Sequence, residues 1–253
     1  MRHGTRDRLW VPPLIFGLAA SACLLVIPVD SLAWLVVARG TGVIAVVAYA
    51  VAANRMPPRT RTVWWLLWGY AALTVAADIV YDVQQRILDE PPFPGPADAL
   101  YLAAYLLAVA GLFVLVRRVI PGRDVDAGID TAVIAVAVAA AVWHFIARPM
   151  VVESEQTDLG ILISLAYPFL DIVILAALVR LVVARGRPST SMTLLVVAFL
   201  TTLSADLLYN LVIQNGSEDF SPPWLDALFL AAIVLMAAAS WANGARSIDE
   251  TSP

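Results

Sequence analysis

Among the charged residues inside, or at the mouth of, strongly apolar stretches are Asp78, Asp82, Asp98, Asp171, Asp206 and Asp226, with Arg39. A charge held in hydrocarbon costs roughly 3 kcal/mol or more unless it is paired, protonated or wet. Such residues are therefore candidates for binding ions or ligands before any other chemistry is considered. Asp78 follows Thr74 by four positions, and Tyr81 and Asp82 follow Asp78 by three and four. That spacing puts all four on one face of a helix. Thr202, Asp206, Tyr209 and Asn210 repeat the pattern. Two readings fit these faces: a functional polar site, or interhelical glue worth about 1 kcal/mol per hydrogen bond.

Arg39 lies beside Gly40 and Gly42. It either snorkels to the headgroups or pairs with Asp78 or Asp206 at similar depth; the second reading gives a polar pocket of Arg39, Asp78 and Asp206. Asp98 and Asp226 come just after Pro96 and Pro223. An acid in a first helical turn caps free amides and favours the dipole, and the alternative is ligand binding at the mouth. Tyr167, Pro168 and Asp171 sit midway along one stretch, where a proline kink beside a carboxylate marks either a hinge, an ion site or a packing feature. The candidate ligand-binding set is thus Arg39, Thr74, Asp78, Tyr81, Asp82, Asp98, Asp171, Thr202, Asp206, Tyr209, Asn210 and Asp226. His144 is read as an interface residue or a pH sensor, and it and His3 are too far apart in sequence to give a metal signature.

The elements that must position these residues are membrane helices. Of 253 residues, 61% are hydrophobic and 14% charged, against roughly 25% charged in a soluble domain. A helical span takes about 20 apolar residues, and helix is the state that satisfies its own amides in lipid. Eight stretches qualify, at about 10–28, 31–53, 62–82, 97–118, 127–148, 159–184, 190–213 and 224–243. The fold class expected is an all-α polytopic membrane protein.

Arginines set the orientation. Every one of the 16 basic residues is Arg. They gather in the N-terminal tail (Arg2, Arg6, Arg8) and in alternate connections (Arg55, Arg59, Arg61; Arg117, Arg118, Arg123; Arg180, Arg185, Arg187). Both termini are therefore expected inside, in the plasma membrane. Trp10, Trp64, Trp65 and Trp241 then fall near the inner interface and Trp34, Trp143 and Trp224 near the outer one, as an aromatic belt does. The tail arginines resemble a secretory signal, but no polar mature domain follows, so the first span is expected to stay in place. Cys23, alone in the chain, makes neither an internal disulfide nor a multi-cysteine metal site.

Residues 77–82 and 98–104 reappear as 205–210 and 226–232, Thr74 matches Thr202 and Pro94 matches Pro222, all at an offset of 128. Two four-helix halves follow: a tail at 1–9, a first repeat at 10–118, a second at 119–243, and a cytoplasmic tail or linker start at 244–253. Four spans is an even number, so the halves enter the membrane the same way up, related by an axis along its normal.

Pro96-Ala97-Asp98-Ala99-Leu100-Tyr101-Leu102, Ala166-Tyr167-Pro168-Phe169-Leu170-Asp171 and Ala205-Asp206-Leu207-Leu208-Tyr209 together resemble the multi-spanning N-terminal sensor region of actinobacterial GGDEF/EAL cyclic-di-GMP signalling proteins, over most of residues 60–243. The resemblance implies a signal-input role, with a GGDEF or EAL output domain in cis or trans. This chain carries neither catalytic signature, so the resemblance implies no cyclase or phosphodiesterase residues here. Nor is there a phosphate loop, a His-Glu-x-x-His or a Gly-x-Ser-x-Gly, and no basic stripe suits nucleic acid. The expectation is a sensory module without catalytic activity, cofactor or metal. Its partners would be the bilayer, a small ligand, a cytoplasmic output domain and a second copy of itself. Competing readings are an ion or small-molecule transporter, and a lipid enzyme using Asp78 and Asp206 as acid and base.

Overall fold

The computed structural model describes residues 10–29, 31–88, 93–120, 125–148, 151, 157–183, 188–214 and 222–248. Among these, eight α-helices and no strand are found: α1 (Val11–Cys23), α2 (Leu32–Asn54), α3 (Pro58–Ile87), α4 (Pro96–Val119), α5 (Val125–Val142), α6 (Asp158–Val183), α7 (Thr190–Gln214) and α8 (Pro223–Trp241). Six of them, α2, α3, α4, α6, α7 and α8, are long and apolar enough to cross a membrane. The chain is an all-α, multi-pass membrane protein. The tails, the acids at 153–155 and 218–219, and the loop arginines Arg123, Arg185 and Arg187 lie outside the described residues.

Local chemistry starts and stops these helices. Proline stands in the first turn of α1, α3, α4 and α8, where its missing N–H would have had no helical partner. Ser31 caps α2, its hydroxyl accepting from the Trp34 amide at 3.1 Å. Asp98 closes the first turn of α4 by accepting from the Gly95 amide at 2.7 Å. α5 passes into a π-helical turn at Trp143–Ala147. α8 ends at Trp241; Gly244, whose φ of 89° suits a residue without a Cβ, then leads into a 3-10 turn, Ala245–Ser247.

Two elements differ from expectation. The first helix has 13 residues, about 20 Å at 1.5 Å per residue, because the chain tightens into i→i+3 turns at Leu24, Leu25 and Val26. The third has 30, about 45 Å, since Pro58 starts it early and no breaker stops it before Leu88. The sixth helix runs unbroken through Pro168.

α8 is the interior helix. Residues 232–240 are all buried, as a helix apolar on every side must be. It packs against α1, α2 and α7 and touches α3; α3 packs along α4, and α6 against α4, α5 and α7. Gly17 of α1 permits the α1–α8 approach, because a Cβ there would run into the Val234 side chain. Two of the belt tryptophans are not at a surface. Trp34 and Trp64 are buried, and Trp64, Trp68 and Trp241 donate to the carbonyls of Ala245, Val46 and Ala48 at 2.9–3.0 Å. These rings bolt helix to helix. Trp143 and Trp224 do face outward.

A candidate polar site at one end of the bundle

The up-and-down course of the helices brings the ends of α3 and α7 and the starts of α2, α4, α6 and α8 to the same end of the bundle. All six aspartates and Arg39 gather there. Arg55, Arg59, Arg61, Arg117, Arg118, Arg180 and Arg246 stand at the opposite end, where the Arg118 guanidinium donates to the Arg59 carbonyl.

The first cluster is built on α2 and α3. Arg39 grips Asp82 with two parallel hydrogen bonds, Nε to Oδ2 at 2.6 Å and Nη2 to Oδ1 at 3.0 Å. Its Nη1 reaches Asp78 Oδ2 at 3.1 Å. Such a fork is the strong form of a guanidinium–carboxylate pair. The guanidinium also lies over the Trp34 ring, 5.5 Å from its centroid. The other oxygen of Asp78 accepts from the Tyr101 hydroxyl at 2.6 Å. Arg39, Thr74, Asp78 and Asp226, with Gly42 and Phe229, line a cavity of about 30 Å³, room for one or two water molecules. Arg39 therefore does not snorkel; it is the hub of an ion-pair network between α2 and α3, with Asp226 of α8 lining the same cavity.

The second cluster lies between α4, α6 and α7. The Tyr105 hydroxyl donates to Asp206 Oδ2 at 2.6 Å, and Asp171 lies within reach of both that hydroxyl and Asp206. Tyr167 donates to Asp98 Oδ1 at 3.2 Å. The rings of Tyr70, Tyr105 and Tyr167 meet edge to face at 5.8–6.2 Å, and Tyr70 stacks on Phe199 at 5.6 Å. Asp171 Oδ1 is buried and has no hydrogen-bond partner. Asn210 donates to the Asp206 carbonyl at 2.8 Å, holding its own helix.

The expected pocket of Arg39, Asp78 and Asp206 is thus corrected. Arg39 takes Asp78 and adds Asp82, with Asp226 across the cavity, whereas Asp206 belongs to the tyrosine cluster. Asp78 and Asp206 are separately engaged and do not make an acid–base couple. Thr74 and Thr202 bond back to the carbonyls of Tyr70 and Ala198 at 2.9 and 3.3 Å. Tyr81 and Tyr209 face outward, and the Tyr81 hydroxyl accepts from Gln85. Asp98 caps α4, as foreseen, and also accepts from Tyr167 of another helix, which was not foreseen. His144 is exposed, edge to face with Phe145 at 4.8 Å, and no group of metal-ligating residues occurs among the described residues.

Reading the sequence missed Tyr70, Tyr101 and Tyr105. Their signal was spacing: Asp98, Tyr101 and Tyr105 fall at i, i+3 and i+7, one helical face. It also missed that Arg39 and Tyr167 are themselves 128 residues apart, as are Asp98 and Asp226. No protein-family model, no curated protein and no solved structure matches this chain.

Proposed function

We propose that the chain is a signal-input module of the plasma membrane. Eight crossings, α1 and α5 included, form two parallel four-helix halves with both termini inside. The acidic end then faces outward and the arginine end faces the cytoplasm. A ligand, ion or membrane state at the acidic end biases the packing of α8, and α8 delivers the change to a cytoplasmic output of the cyclic-di-GMP type, in cis or in a partner chain.

One observation carries this reading: a single buried helix touches both ends of the mechanism. At the acidic end α8 supplies Asp226, Phe229, Leu230 and Ile233 to the cavity of Arg39. At the other end it is fastened by Ser191 Oγ to the Ala239 carbonyl at 2.7 Å, by the Ser191 amide to Asn243 at 3.0 Å and by Trp241 to Ala48 at 3.0 Å. An input acts on such a device by binding two packings unequally.

A transporter is the second reading, favoured by six acids and a single guanidinium shared between two neighbouring clusters. Vesicles containing the reconstituted chain and a sodium- or proton-sensitive dye separate the two. The input module predicts no flux above that of empty vesicles. Flux that disappears in Asp206→Asn would establish the transporter. Orientation is tested by reporter tags in the Arg55–Arg61 and Arg117–Arg123 turns, which must be inaccessible from outside.

A further inference from the structure

The two clusters are related position by position. At an offset of 128, Asp78 corresponds to Asp206, Asp82 to Asn210, Asp226 to Asp98, and Arg39 to Tyr167. Helix packing follows the same rule: α2 lies on α8, and α6 lies on α4. In the first cluster a guanidinium occupies the space between the carboxylates. In the second, Tyr167 fills the equivalent position, and a tyrosine brings no positive charge.

The missing charge is not supplied from elsewhere in the fold. The titratable groups nearest Asp171 and Asp206 are Tyr105 on α4, Tyr167 on α6 and Tyr70 on α3; Asp98 is engaged by Tyr167, and Tyr209 on α7 faces outward. On α5, His144 and Arg148 stand at this end but are exposed, and neither acts on Asp171 or Asp206. Arg86 at the end of α3 is exposed as well. The connecting segments 89–92, 149–157 and 215–221 contain no arginine or lysine. Asp171 Oδ1, buried and without a partner, is the open coordination position. Two carboxylates with one hydroxyl donor and no cation do not persist in an apolar bundle unless something positive joins them.

We infer that the Asp171–Asp206–Tyr105 cluster binds one exchangeable monovalent cation, a proton or a sodium ion, where the first half carries the built-in guanidinium of Arg39. The cation sits between the two carboxylates, with the Tyr105 hydroxyl held against Asp206 and Tyr167 placed above by its bond to Asp98. This inference concerns occupancy alone and stands whether or not the chain is a signal-input module.

The test uses the full chain in lipid nanodiscs. If the cation is a proton, infrared spectra at neutral pH contain the carbonyl band of a protonated carboxylic acid, and the Asp171→Asn/Asp206→Asn protein lacks it. If it is sodium, the thermal midpoint rises with NaCl but not with choline chloride at equal ionic strength, and the double variant loses that rise. Tyr167→Arg, which supplies a guanidinium at the position equivalent to Arg39, should abolish whichever signature the native chain shows while its helical circular dichroism is kept. Should that variant fail to fold, the double Asn variant decides alone. A native chain with neither the protonated-acid band nor a sodium-specific rise, or a signature that survives in the double variant, overturns the inference.

Discussion

Arg39 and Tyr167 stand 128 residues apart, and each turns toward the aspartate that opens a partner helix: Arg39 shares a cavity with Asp226 at the start of α8, and Tyr167 donates to Asp98 at the start of α4. One scaffold thus carries two polar joints of different charge. The arginine joint is self-contained, and the tyrosine joint is not.

The arginine joint should dominate stability at the acidic end. Arg39→Leu leaves Asp78 and Asp82 half-buried without their cation, an uncompensated charge worth roughly 3 kcal/mol. Urea unfolding in detergent should register that loss, and Arg39→Leu/Asp82→Leu should recover part of it. The exposed Arg86→Leu should change stability by less than about 0.5 kcal/mol. Equal, mild effects for Arg39 and Arg86 would dismiss the latch.

Two glycines should respond oppositely to alanine. At Gly17 a Cβ meets Val234, a side chain too stiff at χ1 to swing aside, so Gly17→Ala should cost about 1–3 kcal/mol as overpacking does. At Gly40 a Cβ meets nothing within 4 Å, and Gly40→Ala should be neutral or stabilise the helix by up to ~1 kcal/mol. Thermal midpoints of the two variants check the pair, and a stabilising Gly17→Ala would contradict the α1–α8 contact.

Trp64→Phe removes the donor to the Ala245 carbonyl, a loss of about 1 kcal/mol. Amide exchange at 245–248 should quicken, because that turn is tied to α3 through this bond. Trp68→Phe, which frees Val46 on α2 instead, should leave exchange at 245–248 as it was. Identical effects of the two replacements would remove Trp64 from the exit clamp.

Much of this was legible in the sequence. Hydropathy located five of the eight helices to within two residues and missed an end of α1, α3 and α5 by four to six, since length and apolarity are what a bilayer demands but not what starts and stops a helix. The polar faces were legible too, because i, i+3, i+4 spacing fixes direction along a helix. Side-chain partners between helices were not. Asp78 and Asp206 are equally plausible partners for Arg39 by depth, and only the packing of α2 on α3 chooses Asp78 and adds Asp82. The tryptophans misled for a related reason: an indole suits an interface, but its N–H equally suits a backbone carbonyl of a neighbouring helix. Tyr167 looked like part of a proline kink until α6 was seen on α4, with its hydroxyl at Asp98.

The central claim, that α8 carries a change from the acidic end to the arginine end, is tested most directly by hydrogen exchange on Asp226→Asn in nanodiscs. The substitution removes one charge from the Arg39 cavity and leaves the exit clamp untouched. The account predicts faster exchange at 239–248 with α5, which packs on α6, unchanged. Unaltered exchange at 239–248, or a rise spread evenly over every helix including α5, would contradict it.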